Sequence, residues 1–340
     1  MRIKINGDYY IFYNELSLDL KLDSIASTFS LNAKFNPDNE KHVKLFKPLN
    51  YSKVEIFNDA ENLIFTGVII NHSFTSDSKT NLVALSGYSL PGVLEDCTTP
   101  VKNYPLESIN RSLKDITERL CGLFNIKVVI DESVGNDANR VYKKSVASPT
   151  DTIKSYLSKL TSQRNVILSH DNKGRVVLFK PNGESKPKYS FNKDNTLNMS
   201  LGVNGQGLHS LISVVRQPSA ENSGVSTQDS ISNPLVPIFR PTTKVLNSGE
   251  DTDTKNAADN ELATELKAIT INVSLVGLYD DISSGDIIEI LNKEIFIYKK
   301  TNFMVSSVKF NITQSAQLTS LSLVLPETYT SKVPKKIFDI

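Results

Sequence analysis

Tryptophan is absent from these 340 residues, which counts against a carbohydrate-binding module, whose sugar platforms lean on indole rings. Cysteine is almost as scarce. Cys97 and Cys121 are too few for a disulfide framework in a chain of this length and read as two buried thiols, one at a strand exit and one in a helix. Charge of one sign is missing too: 38 Lys+Arg stand against 37 Asp+Glu. No basic stripe marks a nucleic-acid binder. A net charge of +1 gives little colloidal repulsion, which a subunit held inside a complex can tolerate. Long apolar runs are lacking as well. The strongest, Leu63 to Ile70, is broken by Thr66 and Gly67, and falls far short of the roughly 20 apolar residues of a spanning helix. The alternating, charged N-terminus has no signal-peptide core. The expectation is a protein made in and soluble in a cytoplasm, with no membrane insertion and no nucleic-acid specificity.

Reactive constellations are equally thin. The four histidines, His42, His72, His170 and His209, fall in no His-Glu-x-x-His or Cys-x-x-Cys pattern. His170 and Asp171 read as an exposed turn pair. No Gly-x-Ser-x-Gly elbow occurs. Gly202-Val-Asn-Gly-Gln-Gly207 lacks the Lys-Ser/Thr of a phosphate loop and reads as a flexible turn. Asp280–Asp281 and Asp251/Asp253 could be a sugar-cleaving pair or a calcium site, but both read as solvated loop carboxylates. No catalytic, cofactor-binding or metal-ligating residue is assigned, and no cofactor is expected.

What is present is strand periodicity at both ends of the chain. Leu16, Leu18, Leu20 and Leu22 alternate with polar residues. Phe29, Leu31, Ala33 and Phe35 do so again after a break at Asp23–Ser27. This is the period of a half-buried strand. Lys53–Asn58 and Leu63–Ser73 flank a hairpin turn at residues 59–62, and Thr80–Tyr88 follows, with no helix signal in residues 1–97. After Pro100 the period changes. Leu106, Ile109, Leu113, Ile116, Leu120 and Leu123 recur at intervals of three and four, predicting one amphipathic helix that stops near Gly122. A strand is expected at Ile126–Ile130. Ser148-Pro-Thr-Asp151 reads as a helix start with Ser at the N-cap, and Ile153, Tyr156, Leu157 and Leu160 supply that helix's buried face. Asp171-Asn-Lys-Gly174 joins two strands in a hairpin. Leu208–Gln217 is strand-like. Pro218 to Lys255 is polar and reads as a long loop or arm, and a short helix is expected at Asn256–Ala268. A last strand block runs from Ile271 to Tyr329.

The fold class read from this order is mainly β with an α+β insertion: two small tube-like β-barrels flanking an α+β middle region. The divisions are 1–97 for the first barrel, 98–185 for the middle domain, 186–255 for strands and the long polar arm, and 256–340 for the short helix and second barrel. Open sheet edges on short barrels are natural joints between subunits.

Three passages resemble the baseplate hub proteins of contractile phage tails of the Mu type. Leu16-Ser-Leu-Asp-Leu-Lys-Leu-Asp-Ser-Ile-Ala-Ser-Thr-Phe-Ser-Leu31 looks like the family's opening of strand, short break and second strand. Leu85-Ser-Gly-Tyr-Ser-Leu-Pro-Gly-Val-Leu-Glu-Asp-Cys97 is similar to its passage out of the first barrel, with Tyr88 where the family often has a basic residue. Ser283-Ser-Gly-Asp-Ile-Ile-Glu-Ile290, Phe303–Thr313 and Leu321–Tyr329 are similar to its closing barrel, while the 218–255 stretch departs from the pattern.

The resemblance implies a non-enzymatic structural hub: a homotrimer of three-fold symmetry whose paired barrels present a pseudo-six-fold face. That face would dock on the hexameric tail tube or distal tube proteins, and the other side would carry a trimeric central spike. The tape-measure protein and baseplate wedge components are further expected contacts, and the expected location is the virion's tail baseplate. Three alternatives stand beside it: a carbohydrate-binding tail-tip adhesin, the hub of a phage-derived contractile injection particle, and a tail-associated peptidoglycan hydrolase. The last is disfavoured because little chain follows Tyr329.

Overall fold

Alternating burial builds the expected strands and then joins them. The computed structural model describes residues 1–78, 80–216, 228–246 and 254–338. Leu16 and Leu18 on Tyr13–Lys21, and Phe29, Leu31 and Ala33 on Thr28–Lys34, all point into one core. The strands at the two ends of the chain form a single 13-stranded sheet. From one edge its path runs through Asn198–Val203, Ile269–Val276, Gln317–Val324 and Ile297–Thr313. It continues through Tyr13–Lys21, Thr28–Lys34, Asn81–Ser89, Leu63–Ser76 and Lys53–Phe57 to Arg2–Ile5 and Asp8–Tyr10.

The architecture is mainly β with small helical insertions, as expected, but no ladder among the described residues closes into a complete barrel. The reason lies in one long strand. Ile297–Thr313 outruns its partner Ile287–Asn292, which pairs with residues 297–304. The remaining residues 307–313 pair instead with residues 15–21 of the first unit. One hydrophobic core therefore runs through both ends of the chain, from Ile3 and Leu16 to Phe310 and Leu323.

The middle of the chain has its own core, built on Leu113, Ile116 and Leu120 against Tyr156, Leu157, Leu160 and Leu178. Ile25 and Ala26, from the break between the first two leucine-rich strands, plug into it. The helix predicted across Leu106–Leu123 is only half a helix. Residues Glu107–Ser112 form a strand paired with Val141–Val146, leaving Ile109 exposed, and the helix is Leu113–Gly122. The boundary is a reciprocal cap. Ser112 Oγ accepts from the Asp115 N–H while the Asp115 carboxylate accepts from the Ser112 N–H. The next helix, Ile153–Gln163, starts beyond the expected Ser148. Thr152 caps it by accepting from the Ser155 N–H, and Asp151 instead closes the preceding turn on the Ser148 N–H. The Asp171–Gly174 turn joins Ile167–His170 to Val176–Phe179 as read, with Gly174 at φ +73°.

Three further departures fall in the polar stretches. Glu40–Leu45 is a helix within residues 1–97, capped by the Asn39 side chain. Within the 218–255 arm, Gln228–Ser232 and Pro241–Leu246 are strands on either side of Leu211–Arg216, while residues 218–227 and 247–253 of that arm lie outside the described residues. The helix expected at Asn256–Ala268 is Thr254–Glu265 followed by a tighter turn at Leu266–Ala268. It packs Ala257 and Ala258 onto Val214 of the small sheet.

Candidate functional site

The residues singled out as possible chemistry stay apart. His42 packs edge-on against Tyr10 and Phe46, and its Nδ1 accepts from the Asn36 N–H at 3.2 Å. His72 stacks parallel to Phe74, and burial holds its pKa below the usual histidine value. His209 meets Glu265 twice: its N–H donates at 2.9 Å and its Nδ1 lies 2.7 Å from the carboxylate. His170 Nδ1 lies 2.9 Å from the Ser24 carbonyl, across the seam between the middle unit and the first β unit. Desolvation lowers its pKa there. Asp281 accepts from the Tyr189 hydroxyl at 3.0 Å. Asp280 joins His170, Asp171 and Asn172 around a hollow of about 70 Å3, a fraction of the roughly 300 Å3 a small-molecule site starts from. Residues 205–207 of the glycine stretch form a tight turn. Cys121 is buried and desolvation raises its thiol pKa to about 12; Cys97 is also free. Asp251 and Asp253 lie outside the described residues. Among the described residues no group of His, Cys, Asp and Glu is placed to hold a metal ion.

What the geometry does organise is a repeated joint. Five strands of the first unit lie in the order Lys53–Phe57, Leu63–Ser76, Asn81–Ser89, Thr28–Lys34, Tyr13–Lys21. Five strands of the last unit repeat that order as Ile287–Asn292, Ile297–Thr313, Gln317–Val324, Ile269–Val276, Asn198–Val203. Registers match as well. Residues 28–34 pair with 82–88 as residues 270–276 pair with 318–324. Both long strands shift register at the same place, between Ile69 and Asn71 in one and between Val305 and Ser307 in the other. The Ile69 N–H donates to Ser52 as the Val305 N–H donates to Asp286.

Phe74 therefore matches Phe310, and Leu201 matches Leu18. Phe310 is opposite Leu18 in the joint that links the two units, and both are buried, at 1% and 0% exposure. Phe74 is 42% exposed and Leu201 half-buried, because the outer edges of residues 71–76 and of Asn198–Val203 carry no strand among the described residues. Unpaired edges bearing apolar side chains are joining surfaces. Covering a phenylalanine left this open is worth roughly 1–2 kcal/mol.

The sheet's outward face has a different character. Asn198, Ser274, Ser320, Lys309, Asp19 and Thr28 stand side by side across it. The next row is Asn311, Ser17, Ser30, Ser86 and Asn71. Its few charges are matched, with Lys21 3.5 Å from Asp19, and Asn32 donates to Glu15 at 2.9 Å. A shallow hollow of about 520 Å3 opens on this surface beside Ser30 and Lys309, with Phe29, Ile70 and Tyr88 also in its lining. Sequence reading found the two β units and their open edges, but not this register: the alternation shows which side of a strand is apolar, not which strand lies beside it.

Residues 91–180 match the family "Baseplate hub protein gp44-like, second domain". Among solved structures, the 43 kDa tail protein of prophage MuSo2 from Shewanella oneidensis is similar over 96% of this chain and 99% of its own, with TM-score 0.80 and 17% identity. The tail protein from Neisseria meningitidis MC58 is similar over 98% of both chains, with TM-score 0.79 and 18% identity. A component of the E. coli type VI secretion system, which exhibits structural similarity to the T4 tail proteins gp27 and gp5, aligns with 99% of this chain and 80% of its own at TM-score 0.58 and 9% identity. Among curated protein sequences none matches. The middle unit, residues 91–180, thus resembles the gp44-like baseplate hub second domain, and the whole chain carries the fold of phage tail proteins.

Proposed function

We propose that this protein is the structural baseplate hub of a phage tail, or of a phage-derived contractile injection particle. Three copies close into a ring that adapts a six-fold tail tube to a three-fold central spike. The observation that carries this reading is the duplicated five-stranded unit with matching register: three chains bring six similar units to one ring. The gp44-like middle unit, one per chain, supplies the three-fold character. The hydroxyl- and amide-rich sheet face is the wall of the central channel, suited to passage rather than capture because Ser, Thr and Asn dominate its central rows, its charges are matched, and the apolar Leu318 and Val276 lie at the end of one row.

On this reading the partners are copies of itself, tube or distal tube proteins, and the spike, with the tape-measure protein and wedge components around them. The location is the virion's tail baseplate after synthesis in the host cytoplasm. The chain divides as 1–97, 98–185, 186–255 and 256–340, with Asn198–Val203 of the third stretch completing the sheet of the last unit, the outer units docking and the middle one bracing. No residue has a catalytic role. Hence no single His, Asp or Glu to Ala change abolishes a chemical activity, and muralytic turnover by purified protein would contradict that. Mass measurement and negative-stain imaging test the ring. A trimeric annulus is expected, and a strict monomer at high concentration, with no affinity for spike or tube, sinks the reading.

A further inference from the structure

We propose that neighbouring copies join by strand addition in a defined register: residues 71–76 of one chain pair antiparallel with Asn198–Val203 of the next, with Phe74 opposite Leu201 and His72 opposite Val203. This rests on the ring reading and specifies its contact. The register is copied from the joint inside the chain. There Phe310 faces Leu18 and Val308 faces Leu20, and the matched hairpins and strands fix the counterparts of all four residues.

The occupant of each open edge is a second copy because the two edges complement one another as the two halves of the internal joint do. Phe74 and Val203 are the exposed apolar residues on them, where the internal joint buries Phe310 and half-buries Leu20. The outer side of residues 71–76 is open for the same reason that residues 307–313 are available to the first unit. The short neighbour, Lys53–Phe57, covers only residues 63–68 of the long strand.

The end of the joint supplies a second, independent match. Inside the chain, Leu22 donates its N–H to the Ser306 carbonyl, and its side chain rests on Gly285, where an added Cβ would sit 3.3 Å from Leu22 Cδ1. The counterpart of Leu22 is Gly205, and the counterpart of Gly285 is Tyr51. Tyr51 and Gly285 even share a left-handed backbone, at φ 48° and 96°. Large and small have changed places. Tyr51 is exposed, and among the described residues nothing lies within 4 Å of the Cβ position at Gly205. The Tyr51 ring of one copy thus has a vacant seat against Gly205 of the next, as Leu22 has against Gly285.

The test uses the full chain with Cys97→Ser. Oxidising Phe74→Cys/Leu201→Cys is expected to give covalently closed trimers on a non-reducing denaturing gel, since directly opposed residues in an antiparallel pair lie within disulfide reach. Phe74→Cys/Ser200→Cys, one residue out of register with its thiols on opposite faces, is expected to give none. A ring of trimer mass in which the in-register pair stays unlinked, or the shifted pair links equally well, overturns this pairing and leaves the ring standing. A monomer by mass overturns both.

A second arm needs no cross-link. Gly205→Leu has room in the single chain but is set to collide with Tyr51 of the neighbour. It should raise the concentration for half-dissociation about tenfold or more. Adding Tyr51→Gly should restore assembly by rebuilding a Leu–Gly pair. Wild-type assembly of Gly205→Leu, or failure of Tyr51→Gly to restore it, counts against the proposal.

Discussion

Phe310 and Phe74 occupy matching positions on matching hairpins, yet one is 1% exposed and the other 42%. The same contrast separates Leu18 from Leu201 and Leu22 from Gly205. Where the chain supplies its own neighbouring strand, the joint is apolar, interdigitated and finished. Where it does not, the same strand geometry is kept: residues 71–76 are thinned to Phe74 among Asn, His, Ser and Thr, while Asn198–Val203 keeps Met199, Leu201 and Val203. A fully apolar open edge would invite pairing with any chain, whereas a sparse one narrows the choice and still selects a register.

This contrast can be broken most severely at its buried side. Phe310→Ala should cost the single chain about 3–5 kcal/mol in denaturant unfolding. Phe74→Ala should cost less than about 1 kcal/mol there, its effect appearing in assembly instead. Equal losses from the two would mean that the edges are not in different states.

The next effect concerns the second strand of the first hairpin, which carries Gly87 where the last hairpin carries Leu323. A Cβ at Gly87 would lie 1.9 Å from the Val68 carbonyl oxygen, so the two strands approach more closely than any side chain permits. Gly87→Ala should destabilise by on the order of 3 kcal/mol, and an unchanged midpoint would show that the strands can spread.

A smaller effect is expected at the seam to the middle unit. Burial lowers the His170 pKa from the ordinary 6.5, so the unfolded chain takes up a proton before the folded one does. Its stabilising contribution is present above pH 6.5 and is lost as pH falls through the lowered folded value. Wild type should therefore lose more stability than His170→Gln between neutral and mildly acidic pH, and parallel curves would remove His170 from the account. The smallest effect belongs to exposed ion pairs at the outer edge. Lys193→Ala, which breaks the contact with Glu294, should leave the melting temperature unchanged.

Much of this was legible in the residues, and the failures have physical causes. Period-two alternation fixed Tyr13–Lys21 and Thr28–Lys34, and the Asp171–Gly174 turn and the buried face of Ile153–Gln163 followed from turn chemistry and helical spacing. Leu106 and Ile109 fell on the helical period by coincidence. The capping box at Ser112 and Asp115, itself readable, marked the true start. The helix at Glu40–Leu45 buries none of its own residues, so no apolar period announced it; only Asn39 at its cap did. The strands at Gln228–Ser232 and Pro241–Leu246 are polar, short and held by their central neighbour Leu211–Arg216, a partnership that composition cannot show. The functional surface was harder still, because it is defined by which edges lack a partner.

The sequence by itself determined which faces are apolar, where strands give way to helices, and that two β units bracket a helical middle. These are local matters of side-chain period and capping, settled within a few residues of chain. Only the tertiary structure decided that the long strand Ile297–Thr313 would lend its second half to residues 15–21, making two units one sheet. Only it decided that the matching edges at 71–76 and Asn198–Val203 would have no neighbouring strand among the described residues. Strand pairing is made by backbone groups that every residue carries alike. The partner is therefore chosen by long-range packing, and matched register can persist between Gly87 and Leu323, or Tyr51 and Gly285, with no likeness of sequence to reveal it.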